Sequence, residues 1–377
     1  MPRKPEVLQK WFGTDSQEEA RRIYTADQDN LGDLSVEECV KLDLPYYAPA
    51  ETLPAPLPTL KDIENARRTE NDLTNWKLGL GDGFVYRVND VFAVKFGPNH
   101  ALLQEAENII FLQQHSKVRT PKLYAAYTHA EGDPLGYCSD NPPRWAARRY
   151  SRHELPPFHY LVMEYIEGGS LENKWESLDK EAKINVCTKI GEQLRFLRSI
   201  PSSGYYGRVH CQPFNRETSM CQTRYKEPLG PYKTYGDIVT AIADSVEMKT
   251  AISKFDPSGE FHYGDQLTLE HFRGDLATLT HYEPKFTHSD LHFLNVMLKP
   301  TESKEDGEKE DYEIVLIDWA RASWLPAWVE ASDILRYTII KDPVLFAWYV
   351  SQAFEPFPHA DAVYIKQCGK ALGFRMN

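Results

Sequence analysis

The chain is poor in the features that would make it secreted, metal-stapled or membrane-bound. Its six cysteines, Cys39, Cys138, Cys187, Cys211, Cys221 and Cys368, are scattered. They form no CxxC pair and no zinc-type spacing, so reduced thiols are expected rather than a disulfide framework or a zinc module. No run of about 18 apolar residues occurs, so no membrane-spanning helix is expected. The first ten residues, MPRKPEVLQK, lack the apolar core of a signal peptide. A soluble, intracellular protein is expected, cytoplasmic by default and without a membrane partner. Positive charge is also short: 43 Lys and Arg stand against 55 Asp and Glu, a net charge of −12. That balance argues against sequence-independent binding to nucleic acid, which needs basic surface. No internal repeat is visible. What the chain does have is length and apolar content, 377 residues with 42% hydrophobic and 12% aromatic. This is enough for two or three domains or lobes with sizeable cores.

Residues 1–68 read as a polar extension punctuated by proline. Its stretch PYYAPAETLPAPLPTL (45–60) is too rich in proline for regular structure, and suits an extended arm or a linker. From Trp76 the pattern changes. WKLGLGDGFVYRVNDVFAVKF (76–96) alternates apolar and polar residues, and Asn89-Asp90 predicts a hairpin turn. NHALLQEAENIIFLQQH (99–115) has its apolar residues at helical spacing. KLYAAY (122–127) and HYLVMEYI (159–166) read as strands, separated by an insert at 129–158 with an arginine cluster. After Gly168-Gly169 the pattern turns helical, with helices expected at 181–200, 235–250, 266–280, 327–340, 343–354 and 359–371. TESKEDGEKEDYE (301–313) reads as a solvated acidic loop between two strands. The expected fold class is α+β: a small strand-rich lobe at 69–166 and a larger, mainly helical lobe at 167–377. A cleft between two lobes is a natural ligand site.

Several residue types then fall in an order that suits phosphoryl transfer. That chemistry needs a phosphate cradle, a lysine, metal ligands and a group that orients the nucleophile. GLGDG (79–83) supplies Gly79, Gly81 and Gly83 between two predicted strands, where backbone could approach phosphate oxygens. Lys95 sits inside the apolar run FAVKF and needs an anionic partner. The following helix offers Glu105 and Glu107. In FTHSDLHFLNVML (286–298), Asp290 could take or orient the acceptor's proton, and Asn295 could bind a metal through its side-chain oxygen. YEIVLIDWA (312–320) is an apolar strand ending in Asp318, a carboxylate placed to hold magnesium. His288 reads as a structural brace for the loop and for the Asp318 backbone. Trp319 reads as a packing residue and Arg321 as a surface residue.

With these motifs the chain resembles the aminoglycoside phosphotransferase and choline kinase group of the protein-kinase-like fold, in its fungal branch, over roughly 70–370. HSDLHFLNVML and LIDWARASWLPAWVE, which ends in Glu330, carry the resemblance. FAVKFG followed by LLQEAENIIFL matches the lysine and helix-glutamate segments, which selects Glu105 over Glu107. LVMEYIEGGSL matches the hinge, so Glu164 and Ile166 would offer backbone groups to adenine. The resemblance implies a bilobal protein-kinase-like fold, ATP and Mg2+ as cofactors, and phosphate transfer to a small-molecule hydroxyl. A catalytically idle nucleotide-binding or scaffold protein is the alternative. A protein acceptor is disfavoured: His292 stands where Ser/Thr kinases carry a lysine, and the chain runs from Asp318 almost directly into a helix. One further motif, DQDNLGDLSVEE (27–38), spaces Asp27, Asp29, Gly32, Asp33 and Glu38 like a calcium loop, but Leu31 removes an oxygen ligand. A polar turn into a capped helix is the expectation there.

Overall fold

The computed structural model describes residues 3–29, 40–68, 84–129, 157–214, 220–221, 229–254, 258–301, 311–337 and 359–372. Two compact units, each discontinuous in sequence, make up the chain. One comprises Leu34–Trp175 and Leu294–Ala320; the other comprises Met1–Asp33, Glu176–Phe293 and Arg321–Asn377. The first is rich in strands and the second mainly helical, which is the α+β class expected. Among the described residues, no helix is long and apolar enough to cross a membrane.

The strand-rich unit is built on five antiparallel strands: β1 (Tyr46–Tyr47), β2 (Phe84–Val88), β3 (Phe92–Gly97), β4 (Leu123–His129) and β5 (Phe158–Glu164), in the order β1-β4-β5-β3-β2. The Asn89-Asp90 turn is where the sequence placed it. Both residues have positive φ, 49° and 59°, which Asn and Asp tolerate better than other side chains. Strand β1 comes from the proline-rich arm: Tyr46 and Tyr47 pair with Ala126 and Ala125. One aromatic ring from each strand then forms a ladder across the sheet. Tyr47–Tyr127, Tyr127–Tyr160, Tyr160–Phe96 and Phe96–Tyr86 have centroid separations of 6.4, 5.2, 5.3 and 5.9 Å, within the range where such pairs add to area burial. Phe92, Val94 and Phe96 are fully buried in the core with Ile63 and Ala66 of the helix Leu60–Arg68, and Leu53, Ala55 and Leu57 of the arm pack on that core. Lys95 alternates with these buried residues and so lies on the opposite face of the strand. The helix Ala101–His115 packs against β3, β4 and β5.

A second antiparallel sheet joins Gly169–Ser170 to the hairpin Val296–Pro300/Tyr312–Leu316. Gly168 has φ +117°, and a Cβ there would lie 2.1 Å from the Leu298 carbonyl oxygen. Only glycine lets the connector come that close.

The helical unit has a core to which Tyr235–Ser253, Tyr263–Thr278, Trp328–Tyr337 and His359–Leu372 contribute, and the helix Lys180–Arg198 buries Val186, Ile190, Leu194 and Leu197. Thr234 and Asp237 form a capping box at the start of Tyr235–Ser253. Two helices missed by the sequence reading, Lys4–Phe12 and Gln17–Asp29, pack on Tyr235–Ser253. The buried Lys4 donates to the Lys254 carbonyl at 2.7 Å, and Val7, Leu8 and Phe12 enter the core. Asp27 and Asp29 of the calcium-loop motif end the second of these helices; residues 30–38 of that motif lie outside the described residues, as do the helix expected at 343–354 and most of the 129–158 insert. A short antiparallel pair, Pro284–Thr287 with Ser323–Pro326, leads directly into the HSD loop.

Candidate active site

On β3, the Lys95 ammonium is held between two carboxylates. Nζ donates to Glu105 Oε2 at 2.7 Å and to Asp318 Oδ1 at 2.9 Å. The side chain of Glu105 is almost fully buried, so its charge needs this partner. Burial works against the lysine's charge, but Asp318 and Glu105 together outweigh it, and Lys95 titrates above the ordinary lysine range. Burial likewise pushes the Glu105 carboxyl up, and the ammonium pulls it back. With contacts this short, the charged state is the one we assign. Glu107, the alternative to Glu105, instead accepts from the Lys41 backbone N–H at 2.7 Å.

Asp318 sits in a turn fixed from several sides. Its φ is +65°, a left-handed conformation that costs a non-glycine residue on the order of 1–2 kcal/mol. The buried Asn108 side chain donates to the Trp319 carbonyl at 2.8 Å, and Trp319 Nε1 donates to the Leu316 carbonyl at 2.8 Å. Trp319 is fully buried, as its packing role requires. The Ile317 N–H donates to the Asn295 carbonyl at 3.0 Å, which ties the segment bearing Asn295 to the one bearing Asp318. Strain of this kind, over-determined by its surroundings, is a mark of functional turns.

Glu164 closes β5, and the buried Ile166 follows it. The Glu164 N–H donates to the Lys122 carbonyl at 2.8 Å, while the Lys122 N–H turns to the Glu164 carboxylate at 3.2 Å. That carboxylate also takes a two-pronged contact from Arg119, at 2.9 and 2.7 Å. Burial would raise the Glu164 carboxyl, but Arg119 more than reverses this and holds it below the usual range. Neither Arg119 nor a side-chain role for Glu164 emerged from the sequence.

Asp290 belongs to the helical unit. Its N–H donates to His288 Nδ1 at 3.3 Å, and Ser289 between them has φ +65°. The His288 N–H in turn donates to Glu330 Oε2 at 2.6 Å. His288 and Glu330 are both fully buried. His288 therefore braces its own loop, the first half of the role suggested by the sequence. Burial pushes Glu330 up to about 7, against the pull of the His288 N–H and of Arg198. Burial also lowers Arg198 to about 10. Glu330 was visible in the sequence only as the end of a motif; its grip on the loop was not. Arg321 is not simply a surface residue: its Nη1 lies 4.0 Å from Asp290 Oδ2. Gly79, Gly81 and Gly83 lie outside the described residues.

In the strand-rich unit the strand-borne Lys95 is thus paired to the helix residue Glu105 and to Asp318, which follows an apolar strand, while the HxD part of the HxDxxxxN loop belongs to the helical unit. The family model described as the phosphotransferase enzyme family (APH) matches residues 74–362, and the chain belongs to that family. No curated protein matches the chain. Solved structures similar to it include ADP-bound aminoglycoside phosphotransferase APH(2'')-Ib, at 12% identity and TM-score 0.43, covering 83% of this chain and 86% of that one. Aminoglycoside-3'-phosphotransferase of type VIII has 14% identity and TM-score 0.44, covering 82% and 99%. The streptomycin–ATP ternary complex of APH(2")-IIa has 12% identity and TM-score 0.44, covering 82% and 86%.

Proposed function

We propose that the protein is an ATP- and magnesium-dependent phosphotransferase that moves the γ-phosphate to a hydroxyl of a small molecule. The observation that carries this reading is the Lys95 ammonium held by Glu105 and Asp318, at 2.7 and 2.9 Å. A cation fixed in this way is suited to phosphate oxygens rather than to fold stability alone, since a buried ion pair is weak evidence for stability. Gly79, Gly81 and Gly83 would line the phosphates, and the backbone of Glu164 and Ile166 would take the base.

Asp318 and Asn295 offer a carboxylate and an amide oxygen on two segments joined by the Ile317 N–H. An all-oxygen set with few protein ligands fits magnesium, which keeps several of its waters. When bound, the ion would offset the negative charge of the phosphates. In the transfer itself, the acceptor oxygen forms a bond to the γ-phosphorus as the bond to the bridging oxygen breaks. ADP leaves, and the hydroxyl proton passes to the Asp290 carboxylate. His288 and Glu330 hold that carboxylate's loop, and Arg321 stands beside it.

The short path after Asp318 supports a small acceptor. Between Asp318 and the helix that begins at Trp328, the chain is taken up by the strand Ser323–Pro326. This leaves little room for a peptide-binding segment.

The test is turnover of Mg-ATP with a panel of aminoglycosides, choline, amino alcohols and sugars. A phosphorylated product is expected, with a rate that falls by about 10²–10⁴-fold in Asp290→Ala, the range for losing a general base. A protein that binds Mg-ATP but phosphorylates nothing in a broad metabolite screen would be the idle, scaffold alternative. One that does not bind Mg-ATP would overturn the reading.

A further inference from the structure

The structure holds a four-charge cluster that the proposed chemistry does not use. Arg119 Nη1 and Nη2 fork onto the Glu164 carboxylate at 2.9 and 2.7 Å, and its Nε donates to Glu313 Oε1 at 3.0 Å. Lys299 Nζ completes the set, 3.6 Å from Glu164 and 3.8 Å from Glu313. The backbone of Arg119 is engaged too: its carbonyl accepts the Leu316 N–H at 3.0 Å. Arg119 Nη1 also contacts the Thr120 carbonyl.

These contacts join two places that matter for different ends of a nucleotide. Glu164 ends β5, at the segment that would take the base. Leu316 ends the strand leading into Asp318, and Ile317 is bonded to Asn295, so this end is the one for phosphates and metal. The Leu316 bond is made by the Arg119 backbone; the guanidinium itself joins Glu164 to Glu313, which lies on the same strand as Leu316, three residues before it. Only arginine has the planar, multi-pronged donor set to do so; lysine offers a point charge. The side chains of Arg119 and Glu164 are 22% and 15% exposed, so solvent and salt screen their pairing only in part.

We propose that Arg119 is a positioning residue for the nucleotide, setting the spacing between the base-binding backbone at 164–166 and the turn that carries Asp318. This rests on the ATP reading above. It has a distinctive consequence. A ligand that occupies both ends should sense Arg119, and a ligand that occupies only the phosphate end should not.

Mg-ATP and Mg-tripolyphosphate are the two probes. Each is titrated into the full chain as wild type, Arg119→Met and Glu313→Gln, with the melting temperature of each variant recorded. The expected result for Arg119→Met is at least tenfold weaker Mg-ATP binding, with tripolyphosphate affinity within about twofold of wild type; tenfold corresponds to about 1.4 kcal/mol. Steady-state kinetics should show KM for ATP rising more than kcat falls. Glu313→Gln should move ATP binding in the same direction by less. Equal weakening of both probes, or unchanged ATP binding, overturns the proposal. If Arg119→Met does not fold, Arg119→Lys replaces it, since it keeps the charge but not the fork. A wild-type-like preference for ATP over tripolyphosphate in that variant likewise overturns the proposal. Wild-type protein that binds neither probe sinks the ATP reading and this inference with it.

Discussion

The two units hold their chemical groups by different means. In the strand-rich unit charge is balanced by charge: Lys95 lies between Glu105 and Asp318, and Arg119 between Glu164 and Glu313. In the helical unit the loop bearing Asp290 is held by backbone. The His288 N–H meets a buried Glu330, and the Asp290 N–H meets the His288 ring. The proposed function would account for the difference. A group that meets a polyanionic nucleotide has to stay cationic, so it is embedded among carboxylates that keep its proton on. Under the same function a base that accepts a hydroxyl proton has to be positioned while staying ionised; backbone hydrogen bonds hold its loop, and the cation described beside it, Arg321, stands at 4.0 Å rather than in close contact.

The comparison can be broken first at Lys95. Lys95→Met removes the cation and leaves Glu105 as an unpaired buried charge. We expect kcat/KM to fall by about 10²–10³-fold, the usual cost of deleting one preorganised electrostatic group. Stability should fall by roughly 3–5 kcal/mol, which thermal or chemical denaturation will read. A fully active, equally stable Lys95→Met protein would remove the basis of the contrast.

A smaller effect sharpens the contrast through pH. Glu330 titrates near 7 in the folded chain against an ordinary 4.5, because burial disfavours its charge. Folding therefore favours the protonated carboxyl. The stability this contributes is present in full below pH 4.5 and is lost as pH rises through about 7, a change on the order of 3 kcal/mol. Buried His159 in the strand-rich unit runs the other way. Burial, reinforced by nearby His100, lowers it to about 3, so its contribution is present above 6.5 and lost as pH falls toward 3. Glu330→Gln should flatten the decline in melting temperature between pH 4.5 and 7 and leave the loss on the acid side in place. An unaltered profile in Glu330→Gln would show that the carboxyl is not buried in the way described.

How much of this was legible in the sequence depends on the range of the interaction. An anionic partner for Lys95 was legible because an ammonium in an apolar strand demands one and the next helix offered two, Glu105 and Glu107; the family resemblance then selected Glu105. The Asn89-Asp90 turn was legible because those side chains tolerate left-handed backbone. The helix Lys4–Phe12 was overlooked although Pro5 near its start and Gly13 past its end, at φ +69°, mark its limits. In that stretch the scattered charges hid a short apolar face. Arg119, Glu164 and Glu313 could not have been paired from the sequence. They stand on three separated strands or connectors, and nothing local distinguishes Arg119 from the other arginines of the sequence. Glu330 was part of a recognisable motif, but its partner is a backbone N–H, which leaves no trace in residue type.

The central claim is that Lys95, Glu105 and Asp318 form a site for a nucleotide and its divalent ion. Calorimetric titration of ATP into wild type and Asp318→Ala, with and without magnesium, tests it most directly. The account predicts binding in the wild type that strengthens when magnesium is added, and a variant in which that strengthening is gone. An Asp318→Ala protein whose ATP binding responds to magnesium as the wild type does would contradict it.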